Sequence, residues 1–171
     1  MDILDAHKHC IRCGSETESK LNQRKCKSCQ YRCFINPSPA TGAIILKDHQ
    51  VMLVKRATEP EKDKLDLPGG FLELDETFEQ GIRRELKEEL GVEVLELKYF
   101  NSFVDTYMFD GVNDHIIAVN FIVTLKEGEI VPADDIVEAK YYDLENLPYD
   151  EIAFKSIITS LDLVKQKIKE D

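Results

Sequence analysis

Glu85, Glu88 and Glu89 fall within five residues of one another, inside a segment from Gly69 to Val92 that reads GGFLELDETFEQGIRRELKEELGV. Thr77 and Gln80 form a capping-box pattern, and Gly91 stands where a left-handed C-cap belongs. The spacing therefore predicts a helix over about 77–90. Each residue turns the helix by about 100°. With Phe78 at zero, Ile82, Leu86 and Leu90 fall at about 40°, 80° and 120°, which is the buried stripe. Glu85 and Glu89 fall at about 340° and 20°, Glu88 at about 280°, and Gln80 and Lys87 on the solvent side at about 180–200°. Clustered glutamates are ordinarily a solvated face with lysine partners. Here the angles count against that reading, because Glu85 and Glu89 flank Phe78. Carboxylates that are half desolvated and mutually repulsive need a cation or must take up protons. Arg84, at about 240°, cannot neutralise all three, and Gly81, at about 300°, is expected to leave open space beside them. Upstream, LPGGF places Gly69 and Gly70 where backbone can approach a ligand closely. Acidic helix and glycine loop together point to a metal–phosphate site.

A second group of chemistry-bearing residues lies at the front. CIRC and CKSC supply Cys10, Cys13, Cys26 and Cys29, two C-x2-C hooks with twelve residues between them. Four thiolates in tetrahedral array close a structural zinc site, so a zinc ribbon is expected and a catalytic zinc is not. The gap is shorter than the usual ribbon spacing. Gly14 after the first hook suits a tight knuckle, and Gln30 after the second departs from that habit. Cys33 is read as a small buried residue. His7 and His9 are not needed as ligands.

Elements must be found to carry these groups. TGAIILK and VMLVKRA read as strands joined at Asp48–His49, VEVLELKYFNSFV and DHIIAVNFIVTL as longer strands joined through FDGVND, and EAKYYDL as a short strand. The segment YDEIAFKSIITSLDLVKQKIKE reads as a final amphipathic helix over 149–170. INPSPATG reads as a linker or turn, and ATEPEKDKLDLPGG as a loop. Strands, helix, strands, helix makes an α/β or α+β sandwich. The boundaries drawn are residues 1–36 for the ribbon and 37–171 for the main domain.

The 171 residues carry a net charge of −11. Residues 1–35 sum to +3 and the remainder to −14. Such an acidic main domain argues against a nucleic-acid partner. It can still take a phosphorylated small molecule if divalent cations bridge the like charges. No apolar run reaches the roughly 20 residues of a membrane span, and no secretory leader is visible, so a cytoplasmic location is expected.

The stretch from Gly70 to Val92 resembles the signature of Nudix hydrolases: G, five residues, E, seven residues, R-E-U-x-E-E-x-G-U, with U aliphatic. Gly70, Glu76, Arg84, Glu85, Leu86, Glu88, Glu89, Gly91 and Val92 fill every fixed position. The resemblance covers roughly residues 40–150. It implies an α/β/α Nudix sandwich with a mixed sheet. The implied activity is metal-dependent hydrolysis of a nucleoside diphosphate linked to another moiety, with Mg²⁺ or Mn²⁺ as cofactor. It implies Glu85, Glu88, Glu89 and the Gly69 carbonyl as ligands, with a glutamate or a metal-bound hydroxide activating water. Glu76 and Arg84 resemble the pair that holds loop to helix. Glu138, in DDIVEAKYYDLENLP, is an extra candidate ligand or base. Arg56, Tyr107 and Tyr142 are candidate substrate contacts, and at least one of Tyr141 and Tyr142 is expected to pack in the core.

A ribbon joined to such a domain resembles the branch related to NADH pyrophosphatases. That branch carries S-Q-P-W-x-F-P-x-S after the box, where this chain has NSFVDTYMFDG and no tryptophan anywhere, which counts against NADH. Met108 stands where ADP-ribose hydrolases of the family tend to have proline. Tyr107 lies close to the tyrosine of diadenosine polyphosphate hydrolases. Relatives imply a homodimer. A reading of another class is a nucleotide sensor or scaffold that binds through the Nudix pocket and contacts a partner through the ribbon; the complete glutamate set speaks for catalysis instead.

Overall fold

The computed structural model describes residues 1–170 and divides the chain into two compact units. The first comprises Met1–Ser38 with Asp105–Ile116, and the second Pro39–Val104 with the chain from Ile117 onward.

In the first unit a one-turn helix α1 (Ile3–Ala6), capped by Asp2, precedes an antiparallel sheet of β1 (Thr17–Lys20), β2 (Gln23–Cys26) and β3 (Arg32–Phe34). Within Met1–Ser38 only Cys10, Arg24 and Cys26 are buried. A sheet this small has no apolar core of its own, so something other than hydrophobic burial must hold it.

The larger of the two sheets has six strands in the order β6-β5-β4-β8-β7, with β9 also paired to β5, and most of its residues fall in the second unit. The strands are β4 (Ser38–Lys47), β5 (Gln50–Arg56), β6 (Leu65–Asp66), β7 (Val94–Phe109), β8 (Val112–Leu125) and β9 (Ile136–Asp143). Helix α2 (Phe78–Leu90) lays Ile82, Leu86 and Leu90 on Ala43, Ile45, Met52, Val54, Phe121 and Val123. Asn120 alternates with Phe121, so it faces the other side, where Ser160 of α3 (Lys155–Glu170) accepts its amide at 2.9 Å. The helices therefore cover opposite faces, and the expected α/β/α sandwich with a mixed sheet is the fold found.

Four boundaries differ from the sequence reading, each for a local reason. The segment read as a linker already contains the start of β4, because Leu72 donates to the Pro39 carbonyl and Thr41 to that of Gly70. The long hairpin reaches further than expected. Asp110 and Gly111, with φ of 47° and 79°, make a two-residue turn that lets pairing run through 109 and 112. Leu65–Asp66, inside the expected loop, pairs with β5. The last helix starts at Lys155 rather than 149, because Ile152 bridges Leu65 and Ala153 donates to the Leu65 carbonyl at 2.8 Å. No helix among the described residues is long and apolar enough to cross a membrane.

Candidate active site

Helix α2 has the ends its sequence calls for. Thr77 and Gln80 complete the capping box, and Gly91 closes the C-terminus at φ 68°. The three glutamates then differ sharply in setting. Glu89 is buried, 6% exposed, while the Glu85 side chain keeps 13% exposure and that of Glu88 keeps 48%. The Glu89 carboxylate accepts the Gly69 amide at 2.8 Å. Burial pushes its pKa up to about 9, and Glu85, Asp66 and Asp135 push the same way against the Gly69 hydrogen bond. Glu85 is also raised, first by burial, with Glu88 and Asp134 adding to it. Two carboxylic groups thus sit where ionisation is costly, and no cation among the described residues reaches Glu89.

Arg84 accounts for the rest of the local charge. Its five N–H donors are all used: two on Glu76, one each on Glu85 and Glu88, and one on the Phe71 carbonyl, at 2.7–2.9 Å. The two bonds to Glu76 form a bidentate pair that ties the loop to the helix and depresses the Glu76 pKa to about 2. Gly81 does not leave the open space expected of it. A Cβ there would meet Leu72 Cγ at 3.2 Å and Glu76 Oε2 at 3.4 Å, so the loop packs into that gap.

The glycines of LPGGF work as close-approach positions. Gly69 has φ 139°, and a Cβ on it would lie 2.2 Å from the Thr41 carbonyl oxygen. A Cβ on Gly70 would lie 2.6 Å from Glu85 Oε1. Gly69→Ala should therefore destabilise the fold by about 3 kcal/mol, since backbone cannot yield. Gly70→Ala should spare the melting temperature and lose activity, since only a carboxylate end must move. Melting curves and turnover of the pair check this; equal destabilisation by both would show that Gly70 serves packing alone.

Other expected residues are placed elsewhere. Glu138 lies on β9 opposite Lys55, and its carboxylate takes Lys140 Nζ at 2.7 Å. It alternates with Ala139, which packs on the α2 side, so it is not brought to the three glutamates. Tyr142 shares the Glu138 face, while Tyr141 packs on the core. Arg56 is held by Asp66 at 2.6 Å and lies 5.3 Å from the Phe154 ring centroid. Tyr107 belongs to the first unit, its ring 6.0 Å from that of Phe109. Sequence reasoning missed Asp66, Asp134 and Asp135, whose charges reach Glu85 and Glu89. The signal available was the DD pair before β9. Its loop follows the helix, with Ala133 N donating to the Glu89 carbonyl at 2.8 Å.

Fit to a divalent cation can be judged from the donors. Glu85 and Glu89 offer carboxylate oxygens against glycine backbone, which is the chemistry hard cations take. Burial without a counter-charge at Glu89 is the arrangement a cation relieves. Glu88 is turned toward Arg84. Among the described residues the only set of three or more potential ligands with donor atoms within 4.8 Å of one another is Cys10, Cys13, Cys26 and Cys29.

In that set the Sγ atoms of Cys13 lie 3.5 Å from those of Cys26 and Cys29, and Cys10 lies 3.8 Å from Cys29. A tetrahedral ion with bonds of about 2.3 Å to sulfur requires edges of about 3.8 Å. Amides of Arg12 and Cys29 donate to the Cys10 and Cys26 sulfurs at 3.4 Å. Gly14 and Gln30 follow their hooks with φ of 73° and 60°, so Gln30 adopts the left-handed turn without being glycine. His7 and His9 turn to the carbonyls of Ile3 and Gly14. Cys33 is half-buried on β3.

Comparison with known proteins agrees with the fold. The NUDIX domain model matches residues 36–160. An ADP-ribose pyrophosphatase of Methanocaldococcus jannaschii is 37% identical over 121 residues, covering 70% of this chain and 69% of its own length. The NAD-capped RNA hydrolase NudC of Haemophilus influenzae is 29% identical over 187 residues, covering 99% of this chain and 66% of its own. A solved NUDIX hydrolase from Nitrosomonas europaea superposes with a TM-score of 0.68 at 28% identity, covering 90% and 88% of the two chains.

Proposed function

The chain belongs to the Nudix hydrolase family, enzymes that act on pyrophosphate bonds with divalent metals, and from that premise we propose the reaction and its residues. The proposed reaction is hydrolysis of the diphosphate in a nucleoside diphosphate linked to another moiety, with ADP-ribose the first substrate class to test. The M. jannaschii relative named for that substrate supports the choice.

The observation that carries the reading is Glu89, buried beside Glu85 and short of positive charge. Mg²⁺ or Mn²⁺ bound there would polarise the phosphoryl oxygens and lower the pKa of a bound water. Glu85, Glu89 and the Gly69 carbonyl would hold it, and Glu88 would join by leaving Arg84. Arg84 keeps Glu85 in place from the side and, through Glu76, fixes the loop. The Gly69 amide orients the Glu89 carboxylate. Arg56 and Tyr142 are proposed to meet the substrate's non-reacting parts.

Zinc is the ion proposed for the four cysteines. Residues 1–36 are proposed as a ribbon and 37–171 as the catalytic domain. Four reduced thiolates fit a cytoplasmic location.

The deciding experiment is a panel of ADP-ribose, NADH, diadenosine polyphosphates and nucleoside triphosphates with Mg²⁺ or Mn²⁺ and product identification. Turnover of ADP-ribose to AMP and ribose phosphate is expected, with Glu85→Gln slower by ~10²-fold or more. Tight binding without turnover of any member would favour the sensor reading.

A further inference from the structure

We propose that Asn120 is a positioning residue for the cation site, acting on the glycine loop through the β4 backbone at Gly42. This role rests on the proposed cation site of Glu85, Glu89 and the Gly69 carbonyl, and adds what holds its loop in place. A buried polar cluster lies on the α3 side of the sheet. Asn120 is 5% exposed and Ser160 is wholly buried. The Asn120 amide donates to Ser160 Oγ at 2.9 Å and to Asn101 Oδ1 at 3.0 Å. The Ser160 hydroxyl donates to the same Asn101 oxygen at 3.4 Å. Asn101 Nδ2 is buried and has no hydrogen-bond partner. Apolar side chains of the same shape would fill this space without leaving an N–H unpaired, so stability alone does not account for the cluster.

The two hydrogen bonds fix the plane of the Asn120 carboxamide and leave Oδ1 facing β4. Gly42 alternates with Ala43, which packs on the α2 core, so Gly42 faces the α3 side, as Asn120 does. A Cβ on Gly42 would lie 2.6 Å from Asn120 Oδ1. The side chain therefore lies against bare backbone, at a place where only glycine admits it.

Gly42 is also the residue between the two β4 amides that hold the loop. The Thr41 amide donates to the Gly70 carbonyl at 2.9 Å, and the Ala43 amide to that of Pro68 at 2.8 Å. A Cβ on Gly69 would lie 3.0 Å from Gly42 Cα, and the Gly69 amide donates to the Glu89 carboxylate at 2.8 Å. Ser160, Asn120, Gly42, Gly69 and Glu89 thus form one line of contacts from α3 through the sheet to the carboxylate. Close packing transmits a shift of β4 at Gly42 to the donor that orients Glu89 and to the Gly69 carbonyl beside it. Asn120 lies on the face of the sheet away from α2, so it acts through backbone and is not itself a ligand.

Mn²⁺ binding to the full, zinc-loaded chain, read from the spin signal of the free ion, tests this together with kcat and KM for ADP-ribose at saturating Mn²⁺. Asn120→Ala should weaken Mn²⁺ binding by about tenfold and lower kcat by a similar factor, with KM within about twofold of wild type. Gly42→Ala should do the same from the other side of the contact. Combining the two should bring Mn²⁺ affinity back toward wild type. With Asn120 cut back, the new methyl keeps only Leu67 Cδ1, at 3.6 Å, among those neighbours, which is ordinary contact. Val164→Ala, a core truncation one turn further along α3, should lower the melting temperature and leave Mn²⁺ affinity unchanged. A lower melting temperature for Asn120→Ala with Mn²⁺ affinity and kcat intact would overturn the proposal and make the cluster a matter of packing. A raised KM with both intact would also overturn it, making the amide a substrate contact. So would a double variant that binds Mn²⁺ more weakly than either single one. Wild type that binds no Mn²⁺, or binds it equally well after Glu89→Gln, would fail the cation site itself and this role with it; Glu89-dependent binding that survives Asn120→Ala would fail this role alone.

Discussion

Glu89→Gln is expected to abolish turnover and, at the same time, to make the metal-free protein more stable at neutral and alkaline pH. The two effects come from one cause. Glu89 is 6% exposed, and its folded pKa of about 9 lies far above the ordinary 4.5. A group raised on folding contributes stability that is fully present below its unfolded pKa and is lost as pH rises through its folded one. Within the window from about 4.5 to about 9, each pH unit costs about 1.4 kcal/mol of this contribution. Glutamine keeps the shape and never ionises, so it removes the dependence. At pH 7.5 the metal-free variant should be roughly 2–4 kcal/mol more stable than wild type, about 5–15 °C in melting temperature. Added Mg²⁺ or Mn²⁺ should raise the wild-type melting point and do so more strongly as pH rises, because cation and proton compete for the same carboxylate. The variant should gain little from either ion. Melting curves from pH 5 to 9, with and without metal, check this. A parallel pH dependence in both proteins would show that Glu89 is not the group being titrated.

The site could be read from the sequence wherever one helix carried the information. Angles around α2 placed Glu85 and Glu89 at the edge of the apolar stripe, and the structure buries Glu89 and half-buries Glu85 while leaving Lys87 outside. Capping residues marked the helix to within a residue. What escaped was set by contacts far along the chain. Gly81 looked like open space because nothing local reveals that Leu72 and Glu76 fold back onto it. Asp134 and Asp135 come near the glutamates only because their loop returns beside the helix, with Ala133 bonded to Glu89. Glu138 was the carboxylate of that segment read as a candidate ligand or base, yet strand alternation turns it to the opposite face, where Lys140 takes it. The late start of α3 has the same origin, since Ile152–Ala153 is claimed by Leu65 before the helical pattern can begin.

Removing the metal from the four cysteines should unfold the ribbon strands outright. Burial decides the size of this effect. In Met1–Ser38 the buried residues are Cys10 and Cys26, both of the tetrathiolate set, and Arg24, whose Nε has no partner. Exposed Ile11, Leu21 and Phe34, at 73%, 84% and 61%, contribute almost nothing to a core. Seven paired positions, four between β1 and β2 and three between β2 and β3, cannot offset the conformational entropy of ordering this much chain. A structural zinc contributes an apparent ~10–16 kcal/mol, more than the stability of most whole domains, so with the proposed zinc in place folding here and metal binding would be one event. Cys26→Ser should release zinc, expected at one per chain by elemental analysis. Amide exchange in β1, β2 and β3 should rise to unprotected rates, and trypsin should cut at Lys20, Arg24 and Lys25. Chelation of the wild type should reproduce this, and readdition of zinc should reverse it. Protected β1–β3 amides in a zinc-free chain would mean that the hairpin is held by something other than its four thiolates.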